Sequence, residues 1–164
     1  MDDDSNRLIT TLLEESDRGL VLAGAAFLDD ALFELLATTL RVNLSKKDKD
    51  SLFSHFGPLS SMSSRSLVAY ALELIDEQMR RSLDQVRKIR NHYAHFAGIT
   101  TLPDEDIERL LDLGDPSIKL AVGEFGDSAD PKFSDKRVKV TLCIVSLWAK
   151  IRHKSEELRA GLLA

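Results

Sequence analysis

Cysteine is almost missing from this sequence: Cys143 is the only one in 164 residues. A lone thiol cannot close an intrachain disulfide, and it excludes a zinc site built from cysteines. Cys143 lies in an apolar helical stretch, where a free cysteine behaves as a small buried hydrophobe, so it reads as inert core. Glycine and proline are also few, eight and four, and aromatics make up 6%. Sandwiches and barrels need frequent turn residues and β-favouring side chains, so this scarcity points to helices. The longest nearly apolar run, Gly19 to Leu28, is too short to span a bilayer. The opening Met-Asp-Asp-Asp reverses the basic start of a signal peptide, which predicts a cytoplasmic protein. There is no G-x-G-x-x-G, no Walker loop and no H-E-x-x-H pair, and His55 and His153 stand apart. No cofactor and no metal site is therefore expected, and Gly123-Glu-Phe-Gly126 reads as a turn.

What is present suits a folded chain, with 43% hydrophobic and 30% charged residues and enough length to bury a core. A net charge of −5 excludes coating nucleic acid by bulk charge. Locally the cations gather in three clusters: Arg80, Arg81, Arg87, Lys88 and Arg90; Lys132, Lys136, Arg137 and Lys139; and Lys150, Arg152, His153 and Lys154. Such clusters are solvated helix faces or binding surfaces.

Apolar spacing predicts one all-α domain over 1–164, a bundle of about six to seven helices. The first covers roughly 4–15. A second, from about Arg18 to Leu40 with Ser16 or Asp17 as cap, is apolar on every side in GLVLAGAAFL, as a central helix would be. Gly24, Ala25 and Ala26 would let a neighbour approach closely, while Asp29, Asp30 and Glu34 need water or a cation. Lys46 to Phe53 forms a short helix that ends before Gly57-Pro58. Leu67, Val68, Ala71, Leu72 and Ile75 set the apolar stripe of the next, and Asp76 to Arg80 leads into another. That one carries Met79, Leu83, Val86, Ile89, Tyr93 and Ala97 as its core stripe, with Gly98 as its stop. Thr101-Leu-Pro-Asp104 spells a capping box opening a helix to about Leu113. Residues 114–134 read as a long surface connection, with Lys119 to Phe125 as a possible strand or hairpin. Ser134 caps a final helix over 135–160, whose stripe is Val138, Thr141, Leu142, Val145, Trp148 and Ile151.

The stretch QVRKIRNHYAHF, Gln85 to Phe96, is the one place where chemistry concentrates. At about 100° per residue, Arg90 sits at the edge of the core stripe, while Arg87, Asn91 and His95 form a second stripe and His92 lies further round. Asn91 and His95 are placed to hydrogen-bond. Arg90 can pair with a core-edge acid, Asp29, Asp30 or Glu34, while His95 can cap carbonyls at the helix end. The alternative is a reacting Arg-His pair.

IRNHYAHF resembles the (I/L)RN-x-(F/Y)-AH signature of the mannitol-operon-repressor family, and FGPLSSMSSRSLVAYALELI resembles the Gly-Pro-Leu and Ser-x-Arg blocks before it. The resemblance covers about 19–113, with the spacing between blocks intact. Glu73 departs from it, standing where glycine is expected. More distantly, the Arg-Asn…His pattern resembles the HEPN superfamily of helical domains. The first resemblance implies a negative regulator of transcription that works through a protein partner. Direct DNA binding is not expected, because Leu67 to Ile75 lacks a base-reading face. Arg65, Arg87, Arg90, Asn91, His92 and His95 are then the candidate binding residues. The second implies, as the alternative, a metal-independent endoribonuclease, toxin-like, with Arg90, Asn91 and His95 catalytic at a homodimer interface. RNA is a partner only in that case.

Overall fold

The computed structural model describes residues 3–40, 44–95, 101–113 and 135–162. Among these the expected all-helical class holds, with seven helices and no strand: α1 (Asp3–Glu14), α2 (Asp17–Thr39), α3 (Lys46–Phe53), α4 (Met62–Ala71), α5 (Glu77–His95), α6 (Asp104–Leu113) and α7 (Asp135–Leu162). The connection over 114–134, the strand at Lys119 to Phe125, the stop at Gly98, the Ala97 stripe position and the Ser134 cap all lie outside the described residues.

α2 is central, packed against α1, α4, α5 and α7. Ser16 caps it, its Oγ accepting from the Gly19 N–H at 3.0 Å. Gly24 marks a close approach of α7, since a Cβ there would run into the Ile144 side chain. The apolar ring is not fully covered: Ala26, Phe27, Asp30 and Phe33 are exposed along one stripe. α7 is wrapped more than a single stripe predicts. Val140, Cys143, Ile144 and Leu147 are buried alongside Val138, Thr141, Val145 and Ile151, because α1, α2, α5 and α6 surround it. Burial pushes the Cys143 thiol up to about 12, as befits an inert core sulfur. Arg137, also on α7, pairs with Asp17 at 2.5 Å and donates to the carbonyls of Leu13 and Glu15. It thereby locks the α1–α2 corner.

α4 corrects the sequence expectation twice. It runs from Met62 to Ala71, opened by reciprocal capping between Ser61 and Ser64. It stops at Leu72 because Glu73 takes φ +58°, and the Leu74 N–H returns to the Ala69 carbonyl at 2.9 Å. Ile75 is buried only after this reversal. The helix is also rotated away from the expected stripe, of which Val68 still packs half-buried against the core. Arg65, Ser66 and Ala69 face inward, while the apolar Leu67, Ala71 and Leu72 are exposed.

In α5 the expected stripe holds, with Leu83, Val86, Ile89 and Tyr93 buried, and the Asp76 carboxylate accepts from the Met79 N–H at 2.7 Å at its start. The expected capping box before α6 does not form from Thr101. The helix begins at Asp104, and the Thr101 carbonyl instead accepts from the Tyr93 hydroxyl at 2.6 Å.

Candidate docking groove between α4 and α5

The start of α4 faces α5 across a cleft of about 530 Å³. Ser60, Ser61 and Ser63 line one side, and Arg87, Arg90 and Asn91 the other, with α2 beneath. A smaller recess of about 120 Å³ shares Met62, Ser63 and Arg87 with it and continues to Ser66, Leu67 and Arg80. Together they make one groove along α4 and α5.

Arg90 is exposed, and its Nη1 donates to the Asn91 Oδ1 at 3.0 Å. The expected pairing of Arg90 with a core-edge acid is overturned. Asp29 is held by Arg65, whose Nη1 lies 2.7 Å from its Oδ1, a charge contact without an aligned hydrogen bond. Glu34 stands 3.6 Å from Arg152 and 3.7 Å from Arg159, and Asp30 lines a separate cleft. Arg65 was a candidate binding residue, yet its side chain is only 10% exposed. Its Nε donates to the Leu59 carbonyl at 2.8 Å, and its guanidinium carbon lies 5.6 and 5.9 Å from the Phe33 and Phe53 ring centres. Those rings meet edge to face at 4.6 Å. Arg65 thus ties α3, the loop before α4 and α2 together.

His92 and His95 are exposed in the last turn of α5, and neither lines the groove. Among the described residues there is no Asn91–His95 hydrogen bond, since Asn91 offers its oxygen to Arg90. The structure therefore brings Arg87, Arg90 and Asn91 together and leaves both histidines outside.

The other cations of the cluster differ in how they are compensated. Arg87 donates to Asp84 Oδ1 from Nε and Nη2 at 3.1 and 2.6 Å, and Lys88 reaches Asp84 Oδ2 at 2.9 Å. Partial burial pulls the Asp84 carboxyl upward, but these hydrogen bonds and charges outweigh it and hold it below its ordinary value. Arg81 pairs with Glu77 at 2.5 Å. Arg80 lies over the Tyr70 ring at 5.2 Å, and its Nε is buried without an acceptor. Ser60, Ser63 and Leu67 were missed as groove residues, and so was Tyr70, which lies under Arg80 at its edge. The SSMSSRS run was visible, but a serine cluster before a helix signals caps first.

Among the described residues no cluster of His, Cys, Asp or Glu is arranged to hold a metal ion, and no helix is long and apolar enough to cross a membrane. No protein-family model matches the chain, and no curated protein does. A solved structure does: the X-ray structure of the MtlR-HPr complex from Escherichia coli. The fold resembles that of MtlR. The match covers 92% of this chain and 99% of the MtlR chain, with a TM-score of 0.69 and 19% identity. At that identity the likeness to MtlR is one of fold. At 92% of the chain, the likeness of fold necessarily carries beyond residues 19–113.

Proposed function

We propose that this chain is a regulatory protein of the mannitol-operon-repressor kind, a cytoplasmic homodimer that controls transcription through a protein partner. The observation that carries the reading is the outward apolar face of α4. Leu67 and Tyr70 are 58% and 38% exposed beside a row of arginines, and apolar contact rimmed by cations is the composition of a protein-docking surface. The MtlR of the similar structure is in complex with a second protein, HPr, which supports the same mode of action. Direct operator binding fits poorly. The helix that would follow α3 into a DNA groove is α4, and it offers leucine and tyrosine where base readout uses Arg, Lys, Asn or Gln. Within one chain His95 lies outside the groove that holds Arg90, so the ribonuclease reading has to draw its His95 from a second copy.

The test is purification of the tagged chain from its own cells, identification of a stoichiometric partner, and reconstitution of the complex from the two purified proteins. A reconstituted complex is expected. Absence of any such partner, together with RNA cleavage in EDTA by wild type but not by His95→Ala, would overturn the reading in favour of the nuclease.

A further inference from the structure

We infer that the α4–α5 groove receives an acidic amphipathic helix from a partner protein, with an apolar side chain against Leu67 and Tyr70 and a carboxylate on Arg80. The inference rests on the protein-docking reading above. On α4, Ser63, Leu67 and Tyr70 recur at spacings of four and three and form one exposed face; Arg80, Asp84 and Arg87 recur likewise on α5. These two faces flank a recess also lined by Met62 and Leu83, which makes a seat for one helix.

Charge fixes the sign of the occupant. Arg81 and Arg87 each have a carboxylate, Glu77 and Asp84. Among the described residues Arg80 has none, and it rests on the π-face of Tyr70. Arg90 is likewise unmatched by an acid among the described residues, having only the Asn91 amide oxygen. An uncompensated guanidinium beside exposed leucine is completed by a carboxylate on an apolar scaffold. Arg80 and Arg90 are ten residues apart on α5, so about 15 Å separates them along the axis.

Other occupants fit less well. A second copy of this face would set Arg80 and Arg87 against their equivalents. A nucleic acid would meet Glu77 and Asp84 with its phosphates and leave Leu67 without an apolar contact.

The test uses two fluorescein-labelled peptides of about 18 residues, each with leucines on one face, one carrying glutamates and the other lysines on its flanks. Anisotropy with the full chain is expected to show the glutamate peptide binding at least about tenfold tighter than the lysine peptide. Arg80→Glu and, separately, Leu67→Ser are each expected to weaken it by about tenfold, with circular dichroism unchanged, while Lys47→Glu on α3 leaves it unaltered. Equal binding of the two peptides, no binding, or indifference to both groove variants would overturn the inference. So would a homodimer that Leu67→Ser splits in sedimentation, because the face would then belong to a second copy. A partner protein that still binds both variants would overturn this surface and leave the docking reading standing. Peptide binding as expected with no cellular partner would do the reverse.

Discussion

Replacing Arg65 by methionine keeps most of the side-chain volume and removes three interactions at once. The Leu59 carbonyl, on a residue 5% exposed, loses its donor at 2.8 Å. Leaving a buried acceptor unmatched costs about 1–3 kcal/mol. The contacts with Phe33 and Phe53 contribute about 0.5–1 kcal/mol. The charge pair with Asp29 adds at most about 1 kcal/mol, because the aspartate is 32% exposed and reaches water once released. The terms overlap in one side chain, so the expected loss is about 2–4 kcal/mol. For a chain of this length that corresponds to a fall in Tm of about 5–15 °C. Urea unfolding followed by circular dichroism measures it, with Arg90→Ala as the companion. Among the described residues that exposed arginine pairs with no carboxylate and donates to the Asn91 side chain, so its removal should stay within about 0.5 kcal/mol. A loss below about 1 kcal/mol for Arg65→Met, or an equal loss for Arg90→Ala, would refute the assignment of the structural arginine.

Glu73 holds φ +58°, so Glu73→Gly should relieve left-handed strain and raise stability by about 0.5–1 kcal/mol after the entropy of the unfolded glycine is counted. An unchanged urea midpoint would contradict this. Tyr93→Phe removes the bond to the Thr101 carbonyl and should cost about 1 kcal/mol near neutrality. Burial, then the charges of Asp17 and Asp106, raise the Tyr93 hydroxyl to about 12. Its contribution is therefore complete below the ordinary tyrosine value of about 10 and is lost as pH rises through the folded value. The gap between wild type and Tyr93→Phe should close across that alkaline range, and a gap independent of pH would sink the account.

Helix positions were legible because burial leaves a period in the sequence: Leu83, Val86, Ile89 and Tyr93 mark the inner face of α5 without ambiguity. α4 was not legible by the same rule. Its leucines keep helical spacing through Ile75, but the chain reverses at Glu73, and the inward positions go to Arg65, Ser66 and Ala69. Periodicity reports a face, not which way the face points. The family resemblance carried the missing hint, since it expected glycine at the position that adopts positive φ. The arginine that neutralises Asp29 was equally hidden. A helical wheel ranks Arg90 as a core-edge residue, whereas the partnership is decided by the path of the chain around Leu59, which no local pattern encodes. Of the candidate site, Arg87, Arg90 and Asn91 were readable from one helix; the facing wall needed the fold.

The Arg137 clamp also sets an order of events during synthesis. The corner between the first two helices is closed by a guanidinium that lies 120 positions later in the chain. Until α7 leaves the ribosome, the side of α2 at Gly24 stands uncovered, and the turn at Asp17 has no cation to hold it. The nascent chain thus carries its stickiest helix early and its cover last. Its window for misassembly spans most of translation, and contacts of such long sequence separation slow the final docking.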